Sequence, residues 1–133
     1  MLVFVYGTLK RNYWNNFYME QQGAEFLGDA KTVFPLFKMW DLNGIPGVVG
    51  GWGNHGGSHV IGEMWDVKDI TPIDHLEGHP NVYHRQKTSV QLIDGPGLLL
   101  NYMYILRDRF VNPDIHFEFV PDQANCLTWD PGP

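Results

Sequence analysis

Cysteine is nearly missing from this chain: Cys126 is its one thiol, so no disulfide can form within it and a reducing compartment fits best. Serine is almost as scarce. Only Ser58 and Ser89 occur, neither inside a GxSxG elbow, and Cys126 lies in a polar stretch; together these argue against a nucleophilic mechanism. A basic run is missing too. The nine Lys and Arg residues are scattered and the net charge is −6, so nothing resembles the track that follows a phosphate backbone, and nucleic acid is not an expected partner. No apolar stretch is long enough for a membrane-spanning helix, and no basic segment with an apolar run stands ahead of residues 2–6 in the manner of a signal peptide. The expectation is a cytoplasmic protein with no membrane association.

What the chain does have is a folding composition. Of its 133 residues, 44% are hydrophobic and 14% aromatic, enough for one core and one domain over residues 1–133. Residues 2–6 read as a buried strand that meets a tight turn at Gly7 and Thr8. The stretch 12–22 holds a short helix around Phe17, Tyr18 and Met19, and 24–38 looks extended. Seven glycines between Asn43 and Gly57 predict loop over much of that length. Residues 60–67 return to strand. Thr71-Pro72-Ile73-Asp74 reads as a helix start with Thr71 as its cap and Pro72 at the first helical position. Ile73 and Leu76 can pack inward together, and Gly78 and Pro80 stop the helix. Two strands, 83–93 and 98–106, flank Asp94-Gly95-Pro96-Gly97 as a hairpin. Beyond Arg107 the pattern fades into a tail. Short strands joined by Gly- and Pro-containing turns predict a small, mainly antiparallel sheet curled towards a barrel, with helices at its edge.

Two segments carry the chemistry. A strand-to-turn junction at Tyr6-Gly7-Thr8-Leu9 exposes backbone N–H groups, and clustered N–H groups cradle anions. It is not a phosphate loop of the GxxxxGKS/T kind, and most turns of this sort bind nothing. Asp74-His75-Leu76-Glu77-Gly78 puts a carboxylate in the last helical turn. A lone Glu is ordinarily a solvated surface charge. Here the negative helix end, with any apolar surroundings, raises its pKa and suits it to accept and return a proton near neutrality. Six histidines are present, but His75 and His79 are separated by a helix stop and no HExxH occurs, so no metal is expected. Arg85 shares a strand face with Tyr83 and could touch a substrate carboxylate; a structural ion pair serves it equally well.

Taken in order, Val3-Phe4-Val5-Tyr6-Gly7-Thr8-Leu9-Lys10-Arg11, Phe34-Pro35-Leu36, Ile45-Pro46 and Val60-Ile61-Gly62-Glu63-Met64-Trp65 resemble the γ-glutamylcyclotransferase-like superfamily. Asp74-His75-Leu76-Glu77-Gly78-His79-Pro80 and Tyr83-His84-Arg85 complete the set, which is nearest its short γ-glutamylamine cyclotransferase branch, the AIG2-like proteins. The resemblance covers roughly residues 2–106. It implies an α+β fold, a small mixed, mainly antiparallel β-barrel with short flanking helices, and no cofactor. It implies a small-molecule γ-glutamyl substrate whose α-carboxylate sits on the turn at Tyr6, Gly7, Thr8 and Leu9, with Tyr83 and Arg85 beside it and Glu77 as acid/base. The reaction implied is attack of the substrate's own α-amine on its γ-carbonyl, releasing 5-oxoproline and an amine. Members commonly carry Gly after the Lys-Arg pair, where this chain has Asn12, a residue that tolerates left-handed backbone. Bulky Tyr13 and Trp14 follow, and with the loop around Trp52 they are expected to set which amine leaves. A ligand-binding protein on the same fold, without turnover, is the alternative reading, and an interaction module using exposed aromatics a third.

Overall fold

Strand β1 (Leu2–Val5) is buried on both faces. Phe4 points into one apolar cluster, while Val3 and Val5 point into another, as the two-residue period of a strand requires. It can be so because it lies between two strands. β5 (His59–Asp66) runs antiparallel on one side and β7 (Leu98–Leu106) parallel on the other. β6 (Tyr83–Leu92) pairs antiparallel with β7, and β2 (Glu25–Thr32) pairs antiparallel with both β6 and β5. The circuit β1–β7–β6–β2–β5 therefore closes back on β1: a five-stranded barrel, mixed and mainly antiparallel, as the sequence implied. The computed structural model describes residues 1–53, 56–95 and 97–130.

Inside the barrel Phe4, Met64, Met103, Val90, Ala30 and Val60 pack with no exposure. The second cluster, built on Val5, Trp65, Tyr104 and Leu106, lies under two short helices, α1 (Phe17–Glu20) and α2 (Thr71–Glu77). Ile73 is fully buried and Leu76 packs beside the same cluster, as their spacing predicted. Gly78 ends α2 with a left-handed backbone, φ +65°. The start of α2 differs from the expectation. Thr71 is its first helical residue, not its cap, and the carboxylate of Asp69 accepts the Thr71 N–H at 3.0 Å. A carboxylate just ahead of the helix reaches that free amide, whereas a residue already in helical conformation cannot cap its own helix.

Two further expectations are refined. The glycine-rich stretch is loop over much of its length, as expected, but within it lies a fully buried strand, β4 (Pro46–Val49), paired with β3 (Lys38–Asp41). Gly47 marks close packing, not a loop: a Cβ there would sit 2.6 Å from Leu106 Cδ2 and 2.8 Å from Leu42 Cδ1. The tail is also structured. After a 3-10 turn at Asp108–Phe110, β8 (Phe117–Glu118) pairs with β3, and β9 (Cys126–Leu127) runs parallel to β5. Cys126, Leu127 and Trp129 are buried. β6 and β7 form the expected hairpin; of its turn, Pro96 lies outside the described residues, as do Asn54 and His55 of the glycine-rich loop.

Candidate active site

Beyond β1 the chain turns at Gly7, which packs so closely on Pro46 that an added Cβ would lie 2.6 Å from the proline Cγ. The turn that results is fixed from within. Lys10 N–H donates to the Gly7 carbonyl, Asn15 Nδ2 to Thr8 Oγ1 at 2.9 Å, and Asn16 Nδ2 to the Leu9 carbonyl at 2.8 Å. Asn12 adopts φ +72°, so an asparagine serves where a glycine is commonly found. The amides of Gly7, Thr8 and Leu9 donate to nothing among the described residues. Three donors without acceptors leave this turn able to receive an anion.

Across from it stands Glu77. The turn and the helix end share a cavity of about 160 Å³, lined on one side by Phe4, Val5, Tyr6, Gly7, Thr8, Leu9 and Asn15 and on the other by Leu76, Glu77, Tyr83, Tyr104, Ile45 and Pro46. Glu77 keeps partial exposure through the opening. No donor among the described residues reaches its carboxyl group, and burial raises its pKa to about 7. The cause is desolvation.

Three tyrosines frame the cavity, and each spends its hydroxyl proton on the scaffold. Tyr6 donates to the Tyr104 carbonyl at 2.8 Å, Tyr83 to the Pro46 carbonyl at 2.8 Å and Tyr104 to Asp74 Oδ1 at 2.6 Å. Burial pushes all three phenols well above their ordinary range, and the Glu77 charge pushes the same way. They stay neutral and offer a ligand ring surface and lone pairs.

Tyr6, Gly7, Thr8, Leu9, Tyr83 and Glu77 thus come together. Arg85 does not join them. Its guanidinium forms a two-point pair with Asp74, Nε to Oδ1 at 2.7 Å and Nη2 to Oδ2 at 3.0 Å, and it is not among the cavity-lining residues. Of its two sequence readings, the ion pair is the one formed. Asn12 to Trp14 and Trp52 line no part of the cavity either. Trp14 packs edge-on against Trp129, and Trp52 lies under Lys38 Nζ at 4.0 Å. Asn15 and Ile45 stand at the wall instead. Tyr104 was not anticipated from sequence, and no local signal marks it: its place follows from pairing opposite Arg85 across β6 and β7. Among the described residues, no group of three or more His, Cys, Asp or Glu side chains could hold a metal ion.

The sequence pattern of the family described as gamma-glutamyl cyclotransferase, AIG2-like, matches residues 3–121. The chain belongs to that family. Its match reaches past Arg107, beyond the motifs that carry the resemblance. Among relatives, a Methanocaldococcus jannaschii protein provisionally named a gamma-glutamylcyclotransferase is 41% identical over 96 residues, 70% of this chain and 74% of that protein. Gamma-glutamylaminecyclotransferase B of Danio rerio is 32% identical over 136 residues, 97% of this chain and 66% of its own length. In structure, the family fold is matched by a mouse AIG2-like protein with a TM-score of 0.70 at 26% identity, covering 85% of this chain and 80% of that one. The same fold also forms a part of Kluyveromyces lactis allophanate hydrolase, with a TM-score of 0.67 at 17% identity over 19% of that chain; that likeness concerns the fold alone. No helix among the described residues is long and apolar enough to cross a membrane.

Proposed function

We propose that the protein is a γ-glutamylamine-type cyclotransferase with Glu77 as its acid/base. The observation that carries the reading is a carboxyl group with no hydrogen-bond donor, poised at a pKa of about 7, sharing one small cavity with three unengaged amides. The names of the zebrafish and rat relatives, both gamma-glutamylaminecyclotransferases, support the substrate class.

The substrate's α-carboxylate sits on the amides of Gly7, Thr8 and Leu9. Its α-ammonium then falls towards Glu77. Ionised Glu77 takes one proton from the ammonium, and the freed amine attacks the γ-carbonyl carbon, forming the new C–N bond of a five-membered ring. Protonated Glu77 returns that proton to the departing nitrogen as the old amide C–N bond breaks, and the second proton that the ring nitrogen sheds to become a neutral lactam passes to the freed amine, which leaves as its ammonium. The products are 5-oxoproline and a free amine, and Glu77 ends as it began. Amine and carbonyl belong to one molecule, so holding the folded conformer supplies much of the rate. A cavity of about 160 Å³ is well below the few hundred Å³ that enclose a drug-sized ligand; it suits the γ-glutamyl group, with the leaving amine towards the opening.

The test is release of 5-oxoproline from γ-glutamyl amines and γ-glutamyl dipeptides. Wild type should turn over the amines, and Glu77→Gln should bind them while kcat drops about 10²- to 10⁴-fold. Binding without turnover in the wild type, or full activity in Glu77→Gln, would falsify the assignment.

A further inference from the structure

Helix α2 has little of its own with which to fix its position. It is seven residues long, has no capping side chain at its N-cap Ile70 and only the Asp69 carboxylate on its first amide, and buries only Ile73 completely; a helix this short is not stable by itself. Yet the acid/base reading requires its last residue to be placed closely. Asp74 and Glu77 are three apart and so are neighbours on the helix surface. Both oxygens of the Asp74 carboxylate are engaged. Oδ1 accepts from Arg85 Nε at 2.7 Å and from the Tyr104 hydroxyl at 2.6 Å, and Oδ2 accepts from Arg85 Nη2 at 3.0 Å. Arg85 and Tyr104 are directly opposed on β6 and β7, so one carboxylate ties the helix to two strands at once.

The tie continues in both directions. Arg85 N–H donates to His79 Nδ1 at 3.1 Å, just past the helix end. The Tyr104 carbonyl accepts the Tyr6 hydroxyl, and Tyr6 opens the turn of the cradle. Asp74 is thereby connected through Tyr104 to the opposite wall of the cavity. Asp74 and Arg85 side chains are only about one-fifth exposed, at 19% and 21%, so the pair is not a freely solvated one. The charge state agrees: burial works to raise the Asp74 pKa, but hydrogen bonds from Arg85 and Tyr104 and the Arg85 charge overcome it, and the net shift is downward.

We propose that Asp74 is a positioning residue for the reaction, its carboxylate locking α2 onto Arg85 and Tyr104 so that Glu77 faces the cradle at one fixed distance. The inference rests on the assignment of Glu77 as acid/base. Arg85, an apparent substrate ligand by sequence, acts through Asp74 and never meets the substrate. Loosening the tie lets α2 swing outward. Glu77 then loses its alignment with the α-ammonium and gains water. The titratable groups that share the cavity with it (Tyr6 just after β1, Tyr83 on β6 and Tyr104 on β7) are neutral phenols throughout; the charged pair on the packed elements is Asp74 with Arg85, and loss of the Asp74 charge moves the Glu77 carboxyl in the same downward direction as added hydration.

The experiment is the pH profile of kcat/KM for a γ-glutamyl amine in wild type, Asp74→Asn, Tyr104→Phe and Glu77→Gln, with Val90→Ala inside the barrel as a stability control. Asp74→Asn should lower kcat by about 10- to 100-fold, with KM within about twofold of wild type because the cradle is untouched. Its acid limb should move below that of wild type as Glu77 becomes better hydrated. Tyr104→Phe removes one of the three bonds to Asp74 and should shift both readouts in the same direction by less. Val90→Ala should lower the melting temperature and leave the acid limb in place. If Asp74→Asn and Tyr104→Phe keep the wild-type kcat and limb while Glu77→Gln is inactive, the positioning role is overturned and the assignment of Glu77 stands. If the Asp74 variant behaves only as Val90→Ala does, the tie is structural and the proposal is wrong. An inactive wild type, or an active Glu77→Gln, removes both.

Discussion

The Tyr6–Leu9 turn and the Glu77 end of α2 face each other across one cavity and are unfinished in opposite senses. Among the described residues the turn offers three N–H donors with no acceptor and the helix a carboxyl group with no donor. The side chains that hold them are paired. Thr8 and Leu9 are held by Asn15 and Asn16, and the chain leaving the turn is fastened where Glu63 accepts from the Arg11 N–H and Nε and from Trp65 Nε1. On the other wall Asp74, Tyr83 and Tyr104 all have partners. Unpaired polar groups in a folded protein are costly and few, and here the two unpaired sets are complementary to one amino acid's carboxylate and ammonium.

The largest effect that would sharpen the contrast lies on the turn side, where the tail closes over it. Trp129 is 2% exposed, packs on Tyr13 and Trp14, and accepts Lys10 Nζ at its carbonyl. Trp129→Ala should cost about 3–5 kcal/mol of unfolding free energy, read by denaturant titration; unchanged stability would separate the tail from the cradle.

Next comes the helix side, where removal of a functional group should stabilise. The folded-state pKa of Glu77 is raised from 4.5 to about 7, so the native state holds its proton more tightly than the unfolded chain does. Stability contributed by this group is fully present below about pH 4.5 and is lost as pH rises towards 7. Glu77→Gln should therefore be more stable than wild type by about 1–3 kcal/mol at pH 8, the upper figure being the full shift undiminished by the residue's partial exposure. The difference should vanish near pH 4. Unfolding curves at the two pH values decide it, and an equal difference at both would contradict the shift.

A comparable effect is expected at Gly7. Gly7→Ala must push Pro46 away or deform the turn, at about 1–3 kcal/mol, and should raise KM more than it lowers kcat because it disturbs the carboxylate cradle. The reverse pattern would move Gly7 to the catalytic side of the comparison. Smallest is Tyr83→Phe. It leaves the Pro46 carbonyl unpaired and should cost about 1 kcal/mol of stability, with kcat/KM falling by no more than a few-fold. A far larger kinetic loss with little change in stability would mean that the hydroxyl serves the substrate.

Much of the fold was legible in short signals. The apolar run at residues 2–6, the stops at Gly78 and Pro80, and the hairpin between 83 and 106 are local patterns of period and turn chemistry, and each appears in the structure. The strand ending at Gly7 and the helix ending at Glu77, the two halves of the candidate site, were legible too, because both are themselves local events. Signals whose meaning depends on a distant partner were read less well. Gly47 suggested a loop, when its lack of a side chain admits Leu106 and Leu42. Arg85 left a substrate contact and an ion pair equally open, and only its neighbour Asp74 decides for the pair. Trp129 suggested nothing at all.

The sequence by itself determined the turn, the helix end and the residue types able to bind a carboxylate and shuttle a proton, because backbone conformation and ionisable chemistry are properties of a few consecutive residues. Only the tertiary structure decided that these two ends meet, that Arg85 faces Asp74 and not the cavity, and that three tyrosines direct their protons into the scaffold. It decided also the protonation behaviour of Glu77. Desolvation depends on which groups surround a carboxyl group in space, and in this chain the surroundings come from β1, β4, β6 and β7, brought together only when the barrel closes.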